Sequence, residues 1–426
     1  MKQPDKKPDT LCMAPWTHTY LSPQTERRMC CASREDAQSF EQYIDTKEGT
    51  GEYQPITLHD HWNSDHMKSV RKRMMAGETL AECAVCNDKL LNTDVYRTYF
   101  DRLFSSKYYT KLWETTDETG HTTMEPVSWD YRFSNLCNMK CRMCGSTFSS
   151  QWFDDEVKLF KEGIRGKPSV PERLINSQDS STMDLKKWVE SKLDDVEYCY
   201  FAGGEPLIME EHYYILKKLI EAKRTDVKIR YNTNLLKLKF KGYDLVDMWN
   251  KFDYVEINAS IDDIGQRAEY IRAGTKWNDI EQNLQRLQET NVVLLIECTT
   301  QAMNLLTVPD LYKRLAEIGI PPYRIRLHNL LQHPKSFSVK ILDDNLKHLA
   351  QEKFTNYLNT IDPKHKEEVA PWFQTIVDYM YDINDNERLE LQKQFKRTQN
   401  GIDNIRNENF VDVFPHLKEW YNAIPM

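Results

Sequence analysis

Ser128-Trp129-Asp130-Tyr131-Arg132-Phe133-Ser134-Asn135-Leu136-Cys137-Asn138-Met139-Lys140-Cys141-Arg142-Met143-Cys144 puts three cysteines on one short segment directly after a strand-like run. Asp130, Arg132 and Ser134 share one face of that run, since successive strand side chains point to opposite sides. Thiolates bind iron in clusters, and four is the usual number. Three on one loop hold three corners of a cubane and leave its fourth iron open. A zinc site is the competing reading, but it calls for a fourth protein ligand nearby, and none lies within the loop.

Working outward, strand patterns recur at 196–202, 227–232, 254–260, 292–299 and 323–328, with helical patterns such as 212–223 and 280–290 between them. Strands separated by helices imply parallel βα units. Parallel strands covered on both faces are apolar throughout. Here one face stays polar: Arg230 with Asn232; Glu256, Asn258 and Ser260; Glu297 with Thr299; Arg324, Arg326 and His328. Val255, Ile257, Ala259, Ile325 and Leu327 between them are apolar and suit packing under helices. A barrel with a polar lumen explains the pattern. An antiparallel sheet with one wet face is the alternative, and the intervening helices weigh against it.

Residues 162–181, with Gly163, Gly166, Pro168, Pro171 and several serines, read as a long loop. Residues 335–426 read as a helical cap with Trp372, Phe373, Tyr379, Tyr381 and Trp420. The expected segments are thus 1–92, 93–127 as a helical linker, 128–334 as the core, and 335–426.

With 426 residues the chain can build two or three domains. No apolar run approaches the roughly 18 residues that cross a bilayer, and residues 1–5 show no secretory pattern. The expectation is a cytoplasmic protein. A net charge of -8 speaks against a general nucleic-acid binder. Ten cysteines in a reduced compartment do not suggest a disulfide framework. Cys199 and Cys298, alone in apolar runs, read as small core residues. The other eight form two sets, 137–144 and an N-terminal group of Cys12, Cys30, Cys31, Cys83 and Cys86. His59, His61 and His66 lie beside Trp62 and read as residues of a helix entrance, not ligands. His212 and His328 are placed to reach the lumen, and His328 is the better contact because it continues its strand's polar face.

The landmarks after Cys-x3-Cys-x2-Cys resemble those of the radical S-adenosylmethionine (SAM) superfamily. Gly203-Gly204-Glu205-Pro206 resembles its GGEP motif, whose backbone contacts the SAM amino group. Asn232 and Asn234 stand where the family often has Thr-Asn-Gly. Ser260, Asp262 and Arg272 resemble its fourth-strand segment, which touches the ribose and carboxylate of SAM. Met143 stands where an aromatic is usual. The resemblance covers about 128–334 and implies α/β architecture, a partial (β/α)6 barrel. It also implies a SAM-binding 4Fe–4S cluster on Cys137, Cys141 and Cys144, and cleavage of SAM to a 5′-deoxyadenosyl radical.

Cys83-Ala84-Val85-Cys86 alone suggests zinc or a redox pair. The whole order from Leu11-Cys12 onward resembles the cysteine-rich auxiliary-cluster module called SPASM or, shortened, twitch; in that family it follows the barrel, and here it precedes it. The resemblance implies a second 4Fe–4S cluster on Cys12, Cys83, Cys86 and one of the pair Cys30 and Cys31. Neighbours on an extended segment point to opposite sides, so both do not easily serve one cluster; Cys30 is preferred, and a structural zinc stays open. Implied partners are a one-electron donor such as flavodoxin or ferredoxin and, as substrate, a peptide or protein side chain. A sugar-like alcohol is the alternative substrate, and a non-catalytic iron–sulfur or zinc scaffold the alternative class.

Overall fold

The computed structural model describes residues 3–36, 38–87, 95–175 and 182–425. The end of the expected loop, 176–181, and the segment boundary at 92–93 lie outside them. Among the described residues the strands, in chain order, are β1 (His18–Leu21), β2 (Arg27–Arg28), β3 (Ser128–Tyr131), β4 (Lys140–Cys141), β5 (Tyr198–Phe201) and β6 (Lys228–Thr233). There follow β7 (Lys239–Phe240), β8 (Tyr243–Asp244), β9 (Val255–Ser260), β10 (Arg272–Ala273), β11 (Val293–Thr300) and β12 (Ile325–Leu330). The architecture is mixed α/β with parallel central strands, and the chain forms two compact units.

The first unit comprises Met1–Leu136, Leu174–Tyr231 and Asp247–Val255. Here β1, β3, β5 and β6 pair in parallel, and β2 folds back antiparallel on β1. Helix Glu210–Glu221 connects β5 to β6 and buries His212, Ile215, Leu216 and Leu219, the spacing of one helical face. Helix Tyr96–Thr115 buries Phe100, Phe104, Tyr108 and Leu112 at intervals of four residues. That stripe packs on Leu11, Trp16, Met67, Val70 and Met74 in one apolar cluster. Ser64 starts helix Asp65–Met75 by accepting the Met67 N–H. Arg71 of that helix is fully buried; it donates to the carbonyls of Pro15 and Trp62 and to Asn63, and lies over the Trp62 ring.

The polar face expected on β3 is occupied by Asp130 and Arg132, joined by two hydrogen bonds of 3.0 Å. Arg132 lies over the rings of Tyr20 and Tyr200, and Arg230 over those of Tyr99 and Tyr200. His212 is not on this face. It sits in the core with Nε2 2.7 Å from the Tyr231 hydroxyl and its ring against Phe201, because the helix turns its position inward. Cys199 is buried.

The second unit comprises Cys137–Arg173, Asn232–Val246 and Glu256–Met426. β9, β11 and β12 pair in parallel, with a register shift on β11 between Glu297 and Thr299. β4 pairs antiparallel with β10, and β7 with β8. The polar face is a connected network: Arg326 donates to Glu297 at 3.1 Å, Asn258 to Glu256 at 3.1 Å, and His328 Nε2 stands 3.5 Å from Glu297. Arg324 leaves the expected strand, since Pro321 and Pro322 start a 3-10 turn, Pro322–Arg324. Residues 335–425 are helical, chiefly Asp344–Leu358, Pro363–Met380 and Asp385–Arg406. No described helix is long and apolar enough to cross a membrane.

Candidate functional site

The 137–144 loop is held from several sides within the second unit. β4 ends at Cys141, and the Arg142 N–H donates to the Ile271 carbonyl at 2.8 Å. Trp152 Nε1 donates to the Cys141 carbonyl at 2.7 Å, and Ser149 Oγ to that of Met139 at 2.5 Å. Asn234 Nδ2 donates to Asn138 Oδ1 at 2.7 Å. Gly274, at φ +104°, lets β10 approach the loop: a Cβ there would lie 2.8 Å from the Asn138 carbonyl oxygen. Arg142 lies fully buried over the Tyr270 ring and donates to Gln399 and Asp403, each at 2.5 Å, and to Glu408.

The sulfurs sit in a poised environment. The Met139 N–H stands 3.5 Å from Cys137 Sγ, and Arg272 Nη1 3.9 Å from Cys141 Sγ. Burial pushes the Cys144 thiol up to about 12, with the charge of Cys141 adding to it. Burial also raises Cys141, while Arg272 pulls it down. The free thiols of Cys141 and Cys144 hold their protons, and a metal that coordinates them displaces those protons. Beside the loop a small hollow is lined by Asn234, Ser260, Asp262, Arg272 and Thr275 together with Ile261, Ala268, Trp277 and Ile280. Asp262 is engaged by two hydrogen bonds from Arg272 and by the Thr299 N–H, so it acts within the wall. Asn138 Nδ2 is buried without a hydrogen-bond partner among the described residues.

Gly203 and Gly204, in the first unit, follow β5 where it ends. Gly204 admits no side chain, because a Cβ would lie 2.1 Å from the Leu136 carbonyl oxygen. The Glu205 N–H donates to that same oxygen at 2.8 Å. The Glu205 carboxylate accepts from the Leu207 N–H, capping the 3-10 turn Pro206–Ile208. The motif thus fixes the backbone that leads into Cys137.

The family model described as Radical SAM superfamily matches residues 131–318. That stretch of the chain is similar to the superfamily's model. Among solved structures, native anSMEcpe with bound AdoMet is similar at 18% identity, over 55% of this chain and 62% of that one, with a TM-score of 0.36. Streptococcus suis SuiB bound to precursor peptide SuiA is similar at 16% identity, over 62% and 53%, with a TM-score of 0.32. SuiB bound to S-adenosylmethionine is similar at 14% identity, over 79% and 65%, with a TM-score of 0.36. The chain spans less than two thirds of the length of each of these structures. No curated protein matches.

Upstream of the matched residues, the first unit holds a second thiol set. A small cavity is lined by Cys12, Cys30, Cys83 and Cys86, with Met29, Met74, Tyr96 and Arg97 also in its lining. Burial pushes the Cys83 thiol up to about 11, opposed by Arg97 and reinforced by Cys86. Burial raises Cys12 as well, and the charges of Cys83 and Cys86 add to it. Cys12 Sγ lies 3.5 Å from the Ala14 N–H, the contact that Cys137 makes with Met139. Cys31 is not among the lining residues of this cavity. Its thiol, raised to about 11 by burial, faces Arg132, Asp130 and Tyr96. The four-thiol set fits an all-cysteine cluster, the three-thiol loop one with an open corner. Among the described residues no group of three or more His, Cys, Asp or Glu side chains already stands close enough to hold a single metal ion.

His61 is buried, and His66 pairs with Glu35 at 2.6 Å; neither joins the thiols. His328 sits on the β12 polar face near the ring of Trp372. Sequence reasoning missed Arg142 and its partners, because Gln399, Asp403 and Glu408 are more than 250 residues away and look like an ordinary wet helix face.

Proposed function

We propose that this chain is a radical SAM enzyme with two 4Fe–4S clusters that modifies or oxidises a peptide or protein side chain. One observation carries the reading: three thiols sit on a braced loop, tied through Asn234 and Arg272 to a neighbouring hollow, within a segment that matches the superfamily model. Cys137, Cys141 and Cys144 would hold the first cluster, and its open iron would take SAM. When bound, that pair supplies one-electron cleavage of SAM and a 5′-deoxyadenosyl radical.

The chain's own residues do the positioning. Ser260 lines the hollow, the Thr275 hydroxyl donates to the Met139 sulfur and so braces the loop, Asn234 fixes the loop through Asn138, and Arg272 and Asp262 form one rigid wall. Gly203, Gly204, Glu205 and Pro206 present the backbone that the resemblance assigns to the SAM amino group. Asn232 and His328 are further proposed contacts. Cys12, Cys30, Cys83 and Cys86 would hold the auxiliary cluster, which Cys30 joins by facing their shared cavity. Its resemblance to the SPASM or twitch module supports the peptide substrate, and a small carrier such as flavodoxin or ferredoxin supplies electrons.

The test is anaerobic reconstitution with iron and sulfide, followed by SAM and dithionite. Release of 5′-deoxyadenosine is expected from the native chain and not from Cys141→Ala. A reconstituted chain that holds iron yet leaves SAM intact would refute the proposal.

A further inference from the structure

Cys141 and Arg272 are partners across the β4–β10 ribbon: their backbones stand opposite one another in register. That register brings the Arg272 guanidinium to one particular sulfur of the three. Nη1 lies 3.9 Å from Cys141 Sγ, within reach of a hydrogen bond to sulfur. The rest of the side chain has no freedom to leave. Nε and Nη2 grip the two oxygens of Asp262 at 2.8 and 3.1 Å. Asp262 is almost wholly buried; its carboxylate receives the Thr299 N–H at 2.9 Å, and its carbonyl receives Asn304 Nδ2 at 2.8 Å. Two of the fork's edges are therefore spent on orientation, and the third is aimed at the thiol.

A guanidinium stays charged in any protein environment and donates in fixed directions. Hydrogen bonds to cluster sulfurs and the local charge are the means by which a protein sets a cluster's potential. Adding one electron makes the cluster and its thiolates more negative; no bond forms or breaks. A cationic donor fixed on one thiolate stabilises that reduced state more than the oxidised one. Asp262 cancels part of the cation's long-range field, so the directed N–H contact carries the effect.

We propose that Arg272 raises the reduction potential of the cluster on Cys137, Cys141 and Cys144 by donating to the Cys141 sulfur. This rests on the site reading given under Proposed function, and it assigns Arg272 a role toward the cluster rather than toward SAM.

The experiment is potentiometric titration of the reconstituted protein without SAM, followed by the electron paramagnetic resonance signal of the reduced cluster, for the native chain, Arg272→Met and Arg272→Lys. Arg272→Met at full iron content should lower the equilibrium constant for reduction at least tenfold, a shift of about 59 mV for one electron. Arg272→Lys, which keeps a cationic donor, should retain more than half of the native potential difference. A native midpoint in Arg272→Met overturns the proposal. So does an equal shift in both variants, which would make the effect one of packing. Loss of iron from both also overturns it, since Arg272 would then be a residue of the fold. All three outcomes leave the proposed function standing; a native chain that takes up no iron at 137–144 removes both.

Discussion

At Gly204 a single added carbon meets backbone, not a side chain that can swing aside. The 2.1 Å approach to the Leu136 oxygen means that Gly204→Ala must push apart the segment ending β5 and the one entering the cysteine loop. Strain of this kind belongs to the severe class of substitution, and we expect a loss of about 3 kcal/mol in urea unfolding. A variant of native stability would show that the two segments part at no cost. Asp263 gives a pH signature. It is fully buried and bonded to Thr307, the Ile264 N–H and Arg267, yet burial lifts its carboxyl to about 6 from the usual 3.8. The folded pKa lies above the unfolded one. Its contribution to stability is therefore complete below about pH 4 and is lost as pH rises through 6. Two pKa units correspond to about 3 kcal/mol. Asp263→Asn should flatten unfolding free energy against pH between 4.5 and 7.5; parallel curves for the two proteins would remove Asp263 as the cause.

At the scale of elements, Arg142 joins the cysteine loop to helix Asp385–Arg406. Its guanidinium has no exposed surface, and Asp403 is nearly as buried. Breaking such a pair leaves one charge desolvated, so Arg142→Met should cost about 3–5 kcal/mol in chemical denaturation. The double variant Arg142→Met with Asp403→Asn should recover part of that loss, because the more buried of the two orphaned carboxylates, Asp403 and Glu408, is gone. Additive costs would mean that the two residues do not interact. This latch also marks where sequence reading stops. The cysteine spacing, the paired glycines and the polar strand faces were legible because each is a local pattern with period or spacing. β1 was not, since His18, Thr19, Tyr20 and Leu21 are all buried and show no alternation. Cys30 and Cys31 were separable only in principle, because neighbouring side chains diverge but nothing in the chain says which faces inward. His212 followed its helix into the core, a placement that strand alternation cannot foresee. Tandem prolines took Arg324 off β12, a signal present in the sequence that the alternation overrode.

At the scale of the molecule, each thiol set lies wholly inside one compact unit, Cys12, Cys30, Cys83 and Cys86 in the first and Cys137, Cys141 and Cys144 in the second. Each unit has its own buried core: Trp16, Phe104 and Val127 with the first set, and Trp152, Leu159 and Ile402 against Cys144 in the second. A ligand set supported by its own core does not need the other metal site in order to fold. The proposed clusters should therefore be lost one at a time. Replacing Cys137, Cys141 and Cys144 by alanine should leave about four irons per chain, the content of one cubane, with the visible absorption of an intact cluster. Cys30→Ala should reduce iron in that background to near zero, and Cys31→Ala should not, because Cys30 lines the cavity and Cys31, beside Arg132 and Asp130, does not. Elemental analysis decides each step. Complete iron loss in the triple variant would mean that the first unit holds no cluster by itself; zinc in place of iron would make that site structural; and equal loss in Cys30→Ala and Cys31→Ala would undo the assignment of the fourth ligand.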